Sequence, residues 1–194
     1  MDVRTQVRAA RAAIGAAEQE RAAVEVARRV AELAEFAAAR RIGAYLAVGG
    51  ELDPSRVVDR ARALAREVFL PVVVAANEPL RFAPFGADAE LVAGRFGIRV
   101  PQAPPAALVA GADLDLVLVP LVAFDDGCHR VGMGGGFYDR TFALRTGAGR
   151  RPFLVGLAHD LQRVDRIDAA PHDVRLDLVV TPTRCLGREA EAGQ

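Results

Sequence analysis

The sequence predicts a single three-layer α/β/α domain in which a mostly parallel central sheet follows a helical N-terminus. Three observations carry that expectation. Apolar runs of strand length alternate with segments of helical period along the chain. The run from Leu114 to Pro120 is apolar except at Asp115, as a strand covered on both faces requires. A length of 194 residues suits one well-buried domain spanning 1–194 and is short for two.

Residues 2–40 read as the helical part, 1–40, with Gly15 separating a short first helix from a long second one. Val26, Val30, Leu33 and Ala37 form an apolar stripe, and Arg21/Glu25, Glu25/Arg29 and Arg28/Glu32 pair four apart on the other side. A strand is expected over 41–48, broken by Gly49 and Gly50, after which Asp53 is an N-cap and Pro54 a first-turn residue for a helix to about Arg66. Residues 67–74 read as a strand in which Pro71 implies an edge position or a bulge. A short strand over 80–85 follows the Asn77-Glu78-Pro79 turn.

Gly86, Gly94, Gly97, Pro101, Pro104 and Pro105 mark 86–111 as mostly surface loop and the most mobile stretch. Then come the central strand at 114–120, a helix over 137–144, strands at 152–158 and 176–181, and a flexible tail at 186–194. In such a sheet the ligand crevice lies beyond the carboxyl ends of the strands.

Hydrophobic residues make up 52% and charged residues 26%, which excludes disordered and fibrous classes. Acidic and basic residues balance at 25 each, so no overall positive field is available for a nucleic-acid partner, and any anion site is local. Every basic residue is Arg, which removes Lys as phosphate ligand or Schiff base. Cys128 and Cys185 are too few and too far apart for a disulfide framework, and fit a reducing compartment. The first twenty residues carry Arg4, Arg8, Arg11, Glu18 and Glu20 without an apolar signal region, and no run is long enough to span a bilayer. A cytoplasmic protein without membrane or nucleic-acid partner is expected.

After the central strand comes Phe124-Asp125-Asp126-Gly127-Cys128-His129-Arg130-Val131-Gly132-Met133-Gly134-Gly135-Gly136-Phe137-Tyr138-Asp139-Arg140. Glycine at 132, 134, 135 and 136 ahead of a helix lets the backbone bend around an anion and aim N–H groups at it, and phosphate is the natural guest. A dinucleotide G-x-G-x-x-G starting at Gly132 fails at Phe137, and a Lys-free chain has no Walker A loop. The plain alternative is a crowded turn with Arg130 and Asp139 as a surface ion pair. His129, His159 and His172 lack zinc spacing, and no serine has a nucleophile-elbow context.

The stretch Arg130-Val131-Gly132-x-Gly134-Gly135-Gly136-Phe137-Tyr138-Asp139-Arg140 resembles the signature of the 5-formyltetrahydrofolate cyclo-ligase (5,10-methenyltetrahydrofolate synthetase) family. The likeness extends to the N-terminal basic pair, the Glu after the first strand, and the Gly156-Leu157-Ala158-His159-Asp160-Leu161-Gln162, His172-Asp173 and Asp177-Leu178-Val179-Val180-Thr181 segments. The resemblance implies ATP- and magnesium-dependent closure of 5-formyltetrahydrofolate to 5,10-methenyltetrahydrofolate, releasing ADP and phosphate. It assigns Arg130 and Tyr138 to catalysis. To ATP it gives Arg4, Arg8, Arg130, Val131, Gly132, Met133, Gly134, Gly135, Gly136, Phe137 and Tyr138.

By the same resemblance Glu51 and Tyr138 meet the folate, and Asp139 and Asp173 hold Mg²⁺. Arg4 stands where the family usually has Lys, Phe137 replaces a more usual Tyr, and Met133 a more usual aromatic or basic residue. Those departures leave open a member that binds folate or nucleotide without closing the ring. A sugar-phosphate or nucleotide enzyme reusing the glycine loop is a further alternative. No protein partner is implied.

Overall fold

The structure, a computed structural model, describes residues 2–145 and 151–187. Three helices open the chain: α1 Val3–Ala12, α2 Ala16–Ala31 and α3 Ala34–Ala38. Gly15 separates the first two helices as expected, and the long second helix is broken once more, after Ala31. The second break re-phases the stripe, so Val26, Val30 and Phe36 are buried while Ala37 faces solvent. On the outer face Arg28 pairs with Glu25 at 3.2 Å and Glu32 at 2.7 Å, whereas Arg29 donates to the Pro182 carbonyl.

Strand β1 is Arg41–Gly43, α4 is Ser55–Ala63, β2 is Glu67–Val72 and β3 is Arg81–Pro84. β1 is shorter than the expected 41–48, because the chain leaves the sheet after Ala44 donates to the Phe69 carbonyl. Pro54, expected in the first turn, is itself the N-cap of α4, while Asp53 one residue earlier accepts the Ser55 N–H on Oδ1 at 2.9 Å; α4 ends where Ala65 turns left-handed at φ 54°. Pro71 is neither at an edge nor in a bulge, since β2 lies between β1 and β3. The Phe85 N–H donates to Val68, so alternation makes 71/82 a non-hydrogen-bonded pair. Proline's missing donor then faces the side where pairing with β1 has already ended at Phe69.

The segment expected as loop holds a hairpin of β4 Leu91–Ala93 and β5 Arg99–Pro101, then β6 Val109–Ala110 on the edge of the main sheet. Its glycines serve the hairpin's tip, where Gly97 takes φ 73°. β7 Leu116–Pro120, the hairpin of β8 Ala123–Phe124 and β9 Arg130–Val131, α5 Phe137–Phe142, β10 Phe153–Leu157, β11 Leu178–Val180 and β12 Cys185–Gly187 complete the chain. The expected tail at 186–194 therefore begins inside a strand, β12 pairing antiparallel with β11, and residues 188–194 lie outside the described residues.

The eight-stranded sheet runs β12-β11-β10-β7-β1-β2-β3-β6. Strands β11, β10, β7, β1 and β2 are mutually parallel and the flanking pairs antiparallel. Side chains alternate between two cores. Leu116, Leu118, Val155 and Leu157 face Val26, Val30, Val57 and Ala61 of α2 and α4. Val117, Val119 and Leu154 face Leu80, Phe142 and Leu176, so the second covering layer is the six-residue α5 with long loops. Gly156 permits this closeness, since a Cβ there would meet Leu176 Cδ1 at 2.5 Å. Among the described residues no helix is long and apolar enough to cross a membrane.

Candidate active site

β1 and β7 lie side by side at the middle of the sheet, and chain order reverses between them: after β1 the path moves out to β2 and β3, then returns to β7 on the other flank. Such a reversal opens a crevice beyond the carboxyl ends of the two strands. The loop leaving β1 carries Glu51, and the segment leaving β7 carries the glycine loop through the β8–β9 hairpin. Asp125 braces that hairpin: its Oδ1 accepts the His129 N–H at 2.9 Å and its Oδ2 the Ile167 N–H at 3.0 Å.

β9 delivers Arg130 and Val131 directly into Gly132, Met133, Gly134, Gly135 and Gly136. Gly134 takes φ 93° and Gly136 φ 62°, left-handed conformations that glycine adopts without steric cost. Among the described residues the N–H groups of residues 132–136 donate no hydrogen bond, while the loop's carbonyls are held from outside. Arg4 Nε donates to Gly132 O at 3.0 Å, and Arg140 Nη2 donates to Gly135 O at 2.8 Å and to Ala76 O at 3.2 Å. Arg8, one turn after Arg4, is exposed beside them. Met133 is 58% exposed. The Arg140 guanidinium lies over the Phe137 ring at 4.9 Å, and Phe96 of the β4–β5 hairpin tip meets that ring at a 60° tilt with centroids 5.9 Å apart.

Arg130 and Asp139 are paired, yet not on the surface. Nη2 meets Asp139 Oδ1 at 2.7 Å with the side chains only 6% and 23% exposed, and Arg130 Nη1 also donates to the Val174 carbonyl. Asp139 Oδ1 accepts the Val174 N–H at 3.0 Å as well, which draws the segment after Asp173 against α5. Asp173 Oδ2 accepts the Ala170 N–H at 2.8 Å, and its Oδ1 is 3.9 Å from His172 Nε2. Among the described residues each carboxylate therefore keeps one oxygen without a hydrogen-bond donor. Two hard oxygens from separate segments suit a magnesium ion that completes its shell with water and phosphate. Among the described residues no group of three or more His, Cys, Asp or Glu forms a metal cage.

Glu51 is half-buried, its Oε2 accepting the Val48 N–H at 3.1 Å. Burial pushes its carboxyl up, opposed by that N–H and by the Arg11 guanidinium. Its charge is felt at Tyr45 and Tyr138, whose phenols burial pushes well above the ordinary range. Tyr138 is consequently a neutral donor at physiological pH. Tyr45 donates to Leu52 O at 2.5 Å and forms the back of the Glu51 loop.

Sequence reasoning missed Arg11, Phe96 and Arg140. Two of them left a signal: Arg11, whose spacing from Val7 puts it on the buried face of α1, and Arg140, which closes the glycine-rich signature. His159 is buried, and desolvation followed by the Arg11 charge pulls its ring below the usual value, so it is a neutral neighbour of the site. Both cysteines are free, and burial raises the Cys128 thiol to about 11.

The 5-formyltetrahydrofolate cyclo-ligase family model matches residues 1–182. The chain is 33% identical over 181 residues to the 5-formyltetrahydrofolate cyclo-ligase of Escherichia coli K12, covering 92% of this chain and 97% of the relative. The Haemophilus influenzae cyclo-ligase is 32% identical over 180 residues, with 92% and 95% covered. The solution structure of Aquifex aeolicus 5,10-methenyltetrahydrofolate synthetase superposes with a TM-score of 0.82 at 26% identity, over 99% of this chain and 94% of that one. Fold, glycine loop and relatives agree: the chain belongs to the 5-formyltetrahydrofolate cyclo-ligase family.

Proposed function

We propose that the chain catalyses ATP- and magnesium-dependent closure of 5-formyltetrahydrofolate to 5,10-methenyltetrahydrofolate, with release of ADP and phosphate. An N-formyl group is an amide whose carbon is a poor electrophile, because nitrogen feeds density into the carbonyl. Transfer of the γ-phosphoryl group to the formyl oxygen makes that oxygen a leaving group. N10 then adds to the carbon and loses its proton, and the C–O bond breaks to release phosphate.

Phosphoryl transfer is catalysed by positioning and charge neutralisation, which is the work this site is suited to. The N–H groups of residues 132–136 donate to phosphate oxygens, and Arg4, Arg8 and Arg130 supply positive charge around them. Asp139 and Asp173 would hold Mg²⁺, which when bound neutralises phosphate charge. Glu51 accepts hydrogen bonds from the pterin's amino and ring N–H groups. Tyr138 sits between folate and nucleotide as a neutral phenol that donates without taking charge.

The observation that carries the reading is the glycine loop itself. Its carbonyls are tied back by Arg4 and Arg140 while its N–H groups donate to nothing among the described residues. Purified protein mixed with 5-formyltetrahydrofolate, ATP and magnesium should develop the near-ultraviolet band of the methenyl product. Folate binding without that band would instead support a binding-only member of the family. Phosphate-ester binding without folate binding would support a different phosphate enzyme.

A further inference from the structure

Arg11 is 2% exposed at the end of α1, under the crevice. Its Nε donates to Gly49 O at 3.1 Å in the loop leaving β1, and its Nη1 to Leu121 O at 3.3 Å just past β7. We propose that Arg11 is a positioning residue that fixes the Glu51 carboxylate in the crevice by tying the 48–51 turn to the carboxyl end of β7. The inference rests on the reading that Glu51 receives the folate.

The turn needs holding. Gly49 and Gly50 both stand at positive φ, 56° and 75°, and the Glu51 carboxylate folds back on the Val48 N–H. Gly50 lies so close to α1 that a Cβ would come 3.0 Å from the Arg11 carbonyl. A planar guanidinium bridges two fixed carbonyls, whereas an ammonium makes a compact point contact.

Satisfying carbonyls does not by itself explain a buried cation. Gln162 Nε2 already donates to Leu121 O at 2.8 Å and Gln19 Nε2 to Gly50 O at 3.2 Å, so neutral donors serve this wall elsewhere. Burying a guanidinium is costly unless an opposite charge offsets it, and the Glu51 carboxylate, together with the Tyr45 phenol, acts on Arg11 in that sense. The effect is mutual, because Arg11 favours the ionised form of Glu51 against burial. The other groups facing the pair are Arg8 on α1, Tyr45 behind the loop, Tyr138 on α5 and His159 after β10. Arg8 and a neutral His159 cannot replace a cation at Glu51, since Arg8 is exposed and His159 is driven toward its neutral form.

Steady-state kinetics of the full chain against folate and ATP, with pH profiles and thermal melts, test the assignment. Arg11→Met should raise folate KM about tenfold, on the scale of one net hydrogen bond, and leave ATP KM within about twofold. It should also move the acid limb of folate kcat/KM to higher pH, because Glu51 ionises less readily once its cation is gone. Arg11→Lys should restore the limb and not the KM. Gly50→Ala, which displaces the turn without touching a charge, should raise folate KM and leave the limb in place. An unmoved acid limb in Arg11→Met, or folate and ATP KM rising together, would overturn the proposal. If Arg11→Met does not fold, wild-type folate KM in both Arg11→Lys and Gly50→Ala overturns it. Glu51→Gln separates the two levels. A wild-type folate KM there removes the folate reading of Glu51, whereas a raised KM beside wild-type Arg11 variants removes only the role of Arg11.

Discussion

Arg130 and Asp139 close on each other around the backbone of Val174: Nη2 meets Oδ1 at 2.7 Å, and that same oxygen accepts the Val174 N–H at 3.0 Å. Because Val174 follows Asp173, this one contact couples the cation, the α5 carboxylate and the second carboxylate. Substitution at any of the three should therefore disturb the others.

Arg130→Ala should lower kcat by roughly 10³-fold, the scale of an arginine that stabilises phosphoryl-transfer charge. It should also cost about 1–3 kcal/mol of stability, because Asp139 and the Val174 carbonyl lose a partly buried partner. Single-turnover kinetics and melts check both. A loss confined to folate KM would contradict the role.

Asp139→Asn and Asp173→Asn should each raise the free magnesium needed for half-maximal activity, since Mg²⁺ prefers anionic oxygen. The double variant should be far from additive if both carboxylates act on one metal-nucleotide unit. Lowered melting temperatures with unchanged magnesium curves would leave the pair purely structural.

Glu51→Gln should weaken folate by about 1.5–3 kcal/mol, the worth of a hydrogen bond to a charged group, with ATP affinity unchanged in calorimetry. Stability should move the other way. Burial raises the Glu51 carboxyl in the folded protein, so the fold binds this proton more tightly than the unfolded chain does. Stability therefore falls as pH rises through that window, and the loss is complete above the folded value. At pH 7 Glu51→Gln should melt no lower than wild type, and a substantially lower melting temperature would show that the carboxylate is structural.

Two glycines separate backbone strain from ligand access. Gly136 stands at φ 62° with Arg140 Nη1 2.7 Å from an added Cβ, whereas Gly132 has nothing within 4 Å. Gly136→Ala should cost about 1–2 kcal/mol of stability. Gly132→Ala should melt like wild type and still raise ATP KM, by placing a methyl group in the phosphate cradle. Equal behaviour of the two variants in melts would contradict this distinction.

The sheet was legible because burial on both faces writes itself as unbroken apolar runs: Leu116 and Leu118 serve one core, Val117 and Val119 the other. Strand ends were not, since Ala44 and Tyr45 are buried beyond the sheet rather than within it. Gly94, Gly97 and Pro101 read as loop punctuation, yet in the fold they bound and pair the β4–β5 hairpin. In the site, the spacing of the glycines marked a tight turn ahead of a helix, and the choice between a phosphate cradle and a crowded turn came only with the family resemblance. The spacing of Arg11 from Val7 places it on the buried face of α1, but which carbonyls its guanidinium holds is fixed only when the helix docks on the strand ends. The tilted Phe96–Phe137 contact likewise brings together two distant segments in a way that no local pattern encodes.

If the formyl oxygen is phosphorylated and leaves as phosphate, an isotopic label on that oxygen follows the phosphate. The direct test is turnover of 5-formyltetrahydrofolate carrying ¹⁸O in its formyl group, with mass analysis of the released phosphate. Phosphorylation of the formyl oxygen requires one labelled oxygen in phosphate for each methenyl product formed. Methenyl product with unlabelled phosphate, or ATP hydrolysis without ring closure, would contradict it.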